Sequence, residues 1–122
     1  MVPTNAHFGA MIDCSRNGVM KPSEVKRLVD YLSLFGYQSL MLYTEDTFEV
    51  EGEPLFGYQR GRYTVKELQE IDAYCLQHGI ELIPCVELLA HMNQLFYWQQ
   101  YQDIRDQGDV LLVGEPRTYT LI

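Results

Sequence analysis

The sequence predicts an α/β fold in which parallel strands alternate with amphipathic helices. Three apolar runs, at 7–13, 39–44 and 80–86, each lead into polar or charged residues, and a helical pattern separates each run from the next. Alternation of this kind joins parallel strands through right-handed crossovers. Because parallel strands end at the same edge of a sheet, we expect the polar residues behind the three runs to lie close together.

The first helix is predicted to begin at Lys21 and Pro22, because proline fits the first helical turn, where its missing amide hydrogen removes no hydrogen bond. One apolar stripe follows at helical spacing, made of Val25, Leu28, Val29 and Leu32. Gly36 is placed to end this helix in a left-handed turn. The first unit is therefore strand, loop and helix.

The second unit repeats this order after a long polar loop that runs through Tyr63. Thr64 and Glu67 form the T-x-x-E pattern of a capping box, which predicts the start of a helix. The inner face of that helix is predicted from Leu68, Ile71 and Cys75, and Gly79 is placed to end it. The third apolar run begins directly afterwards and is predicted to be the third strand.

The alternation of strands and helices is interrupted after the third strand. Residues 92–106 are rich in glutamine and aromatic residues, and the helical spacing of Trp98, Tyr101 and Ile104 predicts an inserted helix or an ordered loop. A short extended piece is expected at 109–114, and 115–122 is typical of the first turns of a helix that has no end signal. We therefore expect the natural protein to continue, and both edges of a three-stranded sheet to be unpaired. The isolated chain is expected to self-associate or to fold poorly.

Composition and charge limit the possible functions. Hydrophobic residues at 47% and charged residues at 21% are typical of a globular chain. A formal net charge of -8 opposes binding to nucleic acid. No apolar run reaches the roughly 20 residues that cross a membrane, and the first residues lack the pattern of a secretion signal. Three cysteines without zinc or redox spacing favour a reducing, cytoplasmic setting.

Charged residues that follow the three strands are the candidate site. Behind the first strand, Arg16 offers a fork of donors that suits two adjacent sugar hydroxyls, although the spacing alone favours a structural ion pair with Asp13. Behind the second strand lie Glu45 and Asp46, which on the pattern alone fit solvated loop charges as well. An aromatic and basic loop, FGYQRGRY, is expected to order the rim of this site.

The third strand leads to Glu87 and His91. A histidine in this position is commonly just packed and hydrogen-bonded, so the pattern alone leaves its role open. Together with Cys85 these residues match no tetrahedral zinc spacing, and we expect neither a metal nor a cofactor.

Three segments together resemble the intracellular-type branch of glycoside hydrolase family 20, the β-N-acetylhexosaminidases. They are IDCSRNGVMKPSEVKRLVDYL, GYQSLMLYTEDTFEVEGEPLFGYQRGRYT and GIELIPCVELLAHM, with DVLLVGEPRTYTLI behind them. The resemblance covers nearly the whole chain. It implies a partial (β/α)8 TIM barrel, with 1–122 a single truncated domain of the first three βα units. It also implies exo-acting, retaining hydrolysis of terminal N-acetylglucosamine or N-acetylgalactosamine by substrate-assisted catalysis, with a glycan or glycoconjugate as the partner.

The resemblance assigns roles residue by residue. It implies that Arg16 grips the terminal sugar, that Asp13 orients Arg16, and that Glu45 and Asp46 lie near the sugar. Glu87 and His91 would support the catalytic residues from below. The chain departs from the family at LMLYT, where most members carry histidine and tryptophan. It also departs at three positions near His91, which are Cys85, Leu89 and Ala90.

The family's catalytic residues are an adjacent Asp-Glu pair after a fourth strand, and the sequence places none within the chain. The 122-residue chain alone is therefore predicted to be inactive. Two alternatives remain open from the sequence. One is a noncatalytic sugar-binding or assembly fragment, and the other is a different TIM-barrel carbohydrate enzyme such as a sugar isomerase.

Overall fold

The computed structural model describes residues 6–16 and 18–122, and its centre is a parallel three-stranded sheet. The strands are β1 (Gly9–Asp13), β2 (Ser39–Thr44) and β3 (Glu81–Val86), in the order β1-β2-β3. Two crossover helices connect them, α1 (Pro22–Leu34) and α2 (Val65–Gln77). The predicted α/β class is confirmed, because a helix joins each strand to the next and all three strands run parallel.

Both helices begin and end where local signals in the sequence predict. Lys21 precedes α1 in an extended conformation, and Pro22 occupies its first turn. The capping box of α2 is formed, since Thr64 Oγ1 accepts from the Glu67 amide at 3.1 Å while Glu67 Oε2 accepts from the Thr64 amide at 2.8 Å. Behind the helices, Gly36 and Gly79 take left-handed φ values of 78° and 69°. These contacts start and end the helices without help from distant residues.

One face of the sheet packs against the helices. Leu40 and Leu42 of β2 are buried on this side, together with Ile80, which directly precedes β3. The helices cover them with a set of buried apolar residues: Val25, Val29, Leu32, Ile71 and Cys75. The periodicity of two along each strand thus matches the 3.6-residue stripes of α1 and α2.

The opposite face of the sheet carries a row of apolar side chains in register. Met11 pairs with Met41, which pairs with Ile83. In this three-stranded sheet the row is incompletely covered, and Met11 is 61% exposed. In a closed barrel such side chains pack against those of the other strands.

This open face and the two sheet edges lead us to expect self-association of the 122-residue chain or incomplete folding. Replacing Met11 with glutamate should shift the chain toward monomer, whereas the same change at exposed Leu76 on α2 should not. Light scattering coupled to size-exclusion chromatography measures both. A wild-type monomer that melts cooperatively would contradict the expectation.

The chain behind β3 forms a second packed layer instead of one helix. It contains two short 3₁₀ turns, Leu95–Tyr97 and Gln99–Ile104, and a terminal helix α3 (Pro116–Leu121). Trp98 between the turns has an extended backbone, which interrupts the helix that its spacing with Tyr101 and Ile104 suggested. The ordered-loop alternative is therefore the correct one. The expected extended piece at 109–114 makes only an isolated bridge, between Leu111 and Arg105.

The loops behind β2 and β3 share one hydrophobic cluster. Phe56 from the first loop packs with buried residues of the second loop, which are Met92, Leu95, Phe96, Tyr101, Ile104 and Leu111. The two loops therefore pack against and stabilise each other behind the carboxyl ends of the strands. In the part of the chain that the structure describes, no helix is both long and apolar enough to cross a membrane.

Candidate functional site

The candidate site lies at the carboxyl ends of the three strands. Asp13 is the last residue of β1, Glu45 follows β2 and Glu87 follows β3. Asp13 pairs in register with Tyr43, which pairs with Cys85. Side chains from three distant parts of the sequence therefore meet at one edge, as the pattern of the strands predicted.

Arg16 is the cation of this site, and three oxygen atoms fix its guanidinium. Its Nη1 lies 2.7 Å from Ser15 Oγ, 3.2 Å from Asp13 Oδ2 and 3.3 Å from Glu45 Oε1. The Arg16 side chain is nonetheless 58% exposed. The guanidinium is thus oriented by the protein while its remaining donors can reach a ligand.

Asp13 is itself held by the turn that follows β1. Its Oδ1 accepts hydrogen bonds of 2.8 Å from both the amide and the hydroxyl of Ser15. The Ser15 amide is the largest cause that lowers the pKa of Asp13, and the charge of Arg16 lowers it further. Because the folded pKa is lowered, the interactions of the carboxylate persist at neutral pH and are lost as the pH falls through that lowered pKa.

Residues from all three βα units lie close to the Glu45 carboxylate. The Glu45 side chain is 12% exposed, and Oε1 receives both Arg16 and the Tyr43 hydroxyl, the latter at 3.4 Å. His91 Nδ1 lies 3.9 Å from the same oxygen. A carboxylate in this position can hold the cation of the first unit and the histidine of the third unit in one cluster.

Asp46, next in sequence, faces the other way. Its side chain is 6% exposed, and Oδ1 pairs with Arg60 Nε at 3.1 Å, while Arg60 itself is 14% exposed. Arg60 also donates to the main-chain carbonyl of Ser15. Asp46 therefore ties the rim loop to the turn behind β1. The structure separates two neighbouring acids that the sequence grouped together, because Glu45 pairs with Arg16 whereas Asp46 pairs with Arg60 of the rim loop.

His91 and Glu87 reach the cluster from the loop behind β3. His91 has a left-handed φ of 60°, which is uncommon for a residue with a side chain and often accompanies a functional constraint. Burial is the largest cause that raises the pKa of Tyr43, and Glu87, which is half-buried, raises it further. Within residues 6–16 and 18–122, no three His, Cys, Asp or Glu side chains are arranged to hold a metal ion.

The structure thus brings together Asp13, Arg16, Glu45, Glu87 and His91, and it places Asp46 behind them. Sequence reasoning left Tyr43 and Ser15 outside the site. Tyr43 had a usable signal, because it is the last residue of β2 on the same face as Met41 and carries a polar group. The pairing of Asp46 with Arg60 had no signal in the sequence, since 14 residues separate the two.

No protein-family model matches the chain. A curated β-hexosaminidase of Akkermansia muciniphila is 29% identical over 105 residues, a match that covers 71% of this chain and 21% of that protein. The chain therefore spans about a fifth of the length of this relative.

Solved structures share the fold more completely. An N-acetyl-β-hexosaminidase of Streptomyces plicatus, in complex with Thio-NAglucal, matches with a TM-score of 0.79 at 22% identity and covers 94% of this chain and 28% of that chain. A family 20 exo-β-N-acetylglucosaminidase from Vibrio harveyi, in complex with N-acetylglucosamine, matches with a TM-score of 0.79 at 18% identity, with coverages of 93% and 24%.

The resemblance that the sequence predicted is confirmed by these neighbours. Each of them is a glycoside hydrolase, and each is matched over only part of its own length. The chain therefore has the fold of one part of the TIM barrel of glycoside hydrolase family 20, the β-N-acetylhexosaminidases.

Proposed function

We propose that this chain is the terminal-sugar-binding part of a retaining, exo-acting β-N-acetylhexosaminidase. The observation that carries the proposal is the Arg16 guanidinium, which is exposed, oriented by Ser15, Asp13 and Glu45, and placed at the carboxyl ends of parallel strands. Active sites of TIM barrels lie at that end. The Vibrio harveyi neighbour, which is solved with N-acetylglucosamine, supports a terminal N-acetylhexosamine as the ligand.

The residues divide into two groups under this proposal. Arg16 donates to adjacent hydroxyls of the terminal sugar, and Glu45 holds Arg16 and accepts from the sugar with its remaining lone pairs. Asp46 acts indirectly, because its carboxylate fixes Arg60 and through it the rim loop. Asp13 orients Arg16 from the first strand.

Glu87 and His91 form the side of the cluster that faces the neighbouring barrel segment. Both belong to the unit of β3, and His91 approaches Glu45. In the family the catalytic Asp-Glu pair follows a fourth strand, and we propose that it lies outside residues 1–122. Residues 1–122 are then one truncated domain that corresponds to the first three βα units. In substrate-assisted hydrolysis this domain binds and orients the sugar, and the absent pair steadies the acetamido group and transfers the proton.

Activity measurements test the proposal. General acid-base catalysis contributes about 100- to 10,000-fold, so the 122-residue chain should not hydrolyse a chromogenic N-acetylglucosaminide. A version extended through a fourth strand and the rest of the barrel should hydrolyse it. Turnover by the purified 122-residue chain would refute the proposal that the catalytic pair lies outside residues 1–122. An extended version that binds N-acetylglucosamine without turnover would instead support the noncatalytic alternative.

A reducing, cytoplasmic setting is part of the same proposal. The cysteines of the described chain, Cys14, Cys75 and Cys85, are all free. Burial raises the pKa of the Cys75 thiol to about 11, so this thiol stays protonated and inert at neutral pH. Free thiols are usual where disulfides do not form.

A further inference from the structure

Tyr43 lies at the centre of the site, although its role is not explained by the contacts described so far. It is the last inward-facing residue of the middle strand, with Asp13 beside it on β1 and Cys85 beside it on β3. Its side chain is only partly accessible, and burial is the largest cause that raises its pKa. The phenol therefore stays protonated, and it remains a hydrogen-bond donor across the neutral range.

The ring of Tyr43 lies under the charge of Arg16. The distance from Arg16 Cζ to the ring centroid is 5.1 Å, within the range of a cation-π contact. The Tyr43 hydroxyl donates to Glu45 Oε1 at 3.4 Å, and Arg16 Nη1 lies 3.3 Å from that same oxygen. Tyr43 thus contacts Arg16 directly and also holds the carboxylate that Arg16 pairs with.

We propose that Tyr43 is the positioning residue that holds the Arg16 guanidinium in its sugar-binding orientation and thereby sets the affinity of the site for a terminal N-acetylhexosamine. The inference rests on the proposed function of the site. Arginine has a long, flexible side chain, and its rotamer freedom must be lost when it grips a ligand. The Arg16 guanidinium is already held by the Tyr43 ring and by the Glu45 carboxylate, so it loses less rotamer freedom when the sugar binds.

The contact distances also predict how much the hydroxyl and the ring of Tyr43 each contribute to holding Arg16. The hydroxyl contact with Glu45 is longer than an optimal hydroxyl-carboxylate hydrogen bond, so its removal alone should have a moderate effect. The ring contact with Arg16 does not depend on the hydroxyl. Loss of the ring should therefore affect Arg16 more than loss of the hydroxyl.

Two substitutions separate these contributions. Tyr43→Phe keeps the ring and should weaken N-acetylglucosamine binding about 3- to 10-fold, and Tyr43→Leu removes the ring as well and should weaken it about 30-fold. The chain offers a matched control in Tyr74 of α2, whose hydroxyl donates to Asp30 at 2.7 Å and whose ring lies 5.9 Å from Lys26 Nζ. Tyr74→Phe removes an equivalent hydroxyl far from the site and should leave sugar binding unchanged.

The measurements are an NMR titration with N-acetylglucosamine and the ¹⁵N relaxation of the Arg16 Nε–Hε group without sugar, both on a version extended through the rest of the barrel. Without sugar, Tyr43→Leu should greatly increase the mobility that the relaxation of the Arg16 side chain reports, and Tyr43→Phe should increase it slightly. Unchanged Arg16 order in both variants would overturn the inference, as would equal losses of binding in Tyr43→Phe and Tyr74→Phe. If Tyr43→Leu unfolds, Tyr43→Phe carries the test. If the wild type binds no sugar, the proposed function fails, and the sugar-free Arg16 relaxation still decides whether Tyr43 positions the guanidinium.

Discussion

Replacement of Arg16 with alanine is expected to weaken the binding of N-acetylglucosamine by about 100-fold. A hydrogen bond to a charged group contributes about 1.5 to 3 kcal/mol, and the loss of the guanidinium removes at least one such bond together with its geometry. Lysine keeps the charge but not the planar fork, so Arg16→Lys should recover only part of the affinity. NMR titration of a version extended through the rest of the barrel measures both affinities, and kcat/KM of the same version provides a second measurement.

Arg27 on α1 is the matched control for Arg16. It is 66% exposed and pairs with Glu24 three residues earlier at 3.5 Å, much as Arg16 pairs with Asp13. Arg27→Ala should therefore change the overall charge equally and leave sugar binding unchanged. An equal loss of affinity in the two variants would show that net charge, and not a specific grip on the sugar, governs the interaction.

Replacement of Gly57 with alanine should lower the free energy of unfolding by about 3 kcal/mol or more. Gly57 has a φ of 63°, and a Cβ atom at this position would lie 1.9 Å from the carbonyl oxygen of Asp46. The obstacle is backbone, so no side-chain rotation relieves it. The displaced Asp46 would also loosen its ion pair with Arg60 and with it the rim loop. Chemical denaturation of a version extended through the rest of the barrel measures the change in stability.

Gly52 provides the comparison that isolates the close approach. It lies in the same loop with a φ of 80°, but a Cβ atom there would meet nothing within 4 Å. Gly52→Ala should therefore show only the strain of the left-handed conformation, about 1 to 2 kcal/mol. If the two alanine variants were equally destabilised, the contact between Gly57 and Asp46 would contribute nothing, and the anchoring of the rim loop would need another explanation.

Much of the fold could be predicted from the sequence because its signals are local. The capping box of Thr64 and Glu67 acts within four residues, and Gly36 and Gly79 end helices through their own backbone angles. The strand bounds followed from short apolar runs between these helix signals. Where the signals were weaker, the prediction was less specific: the spacing of Tyr101 and Ile104 fitted a helix, but the extended backbone of Trp98 produces two short turns.

The site could be predicted only in outline. Parallel strands end at one edge, so the sequence placed Arg16, Glu45 and His91 near one another without their contacts. It did not separate Glu45 from Asp46, whose different surroundings depend on Arg60 and on the close approach of Gly57. Those partners belong to a loop that returns to the strand end only after it packs with the loop behind β3.

The sequence by itself determined the order of strands and helices, the helix ends and the family resemblance, because each depends on residue pattern within a segment. Only the tertiary structure decided that Glu45 Oε1 is shared by Arg16 and Tyr43, and that Asp46 is buried with Arg60. These contacts join residues that lie on different strands and loops. Their distances are set by the strand register and by the packing of the loops, and no local pattern encodes either.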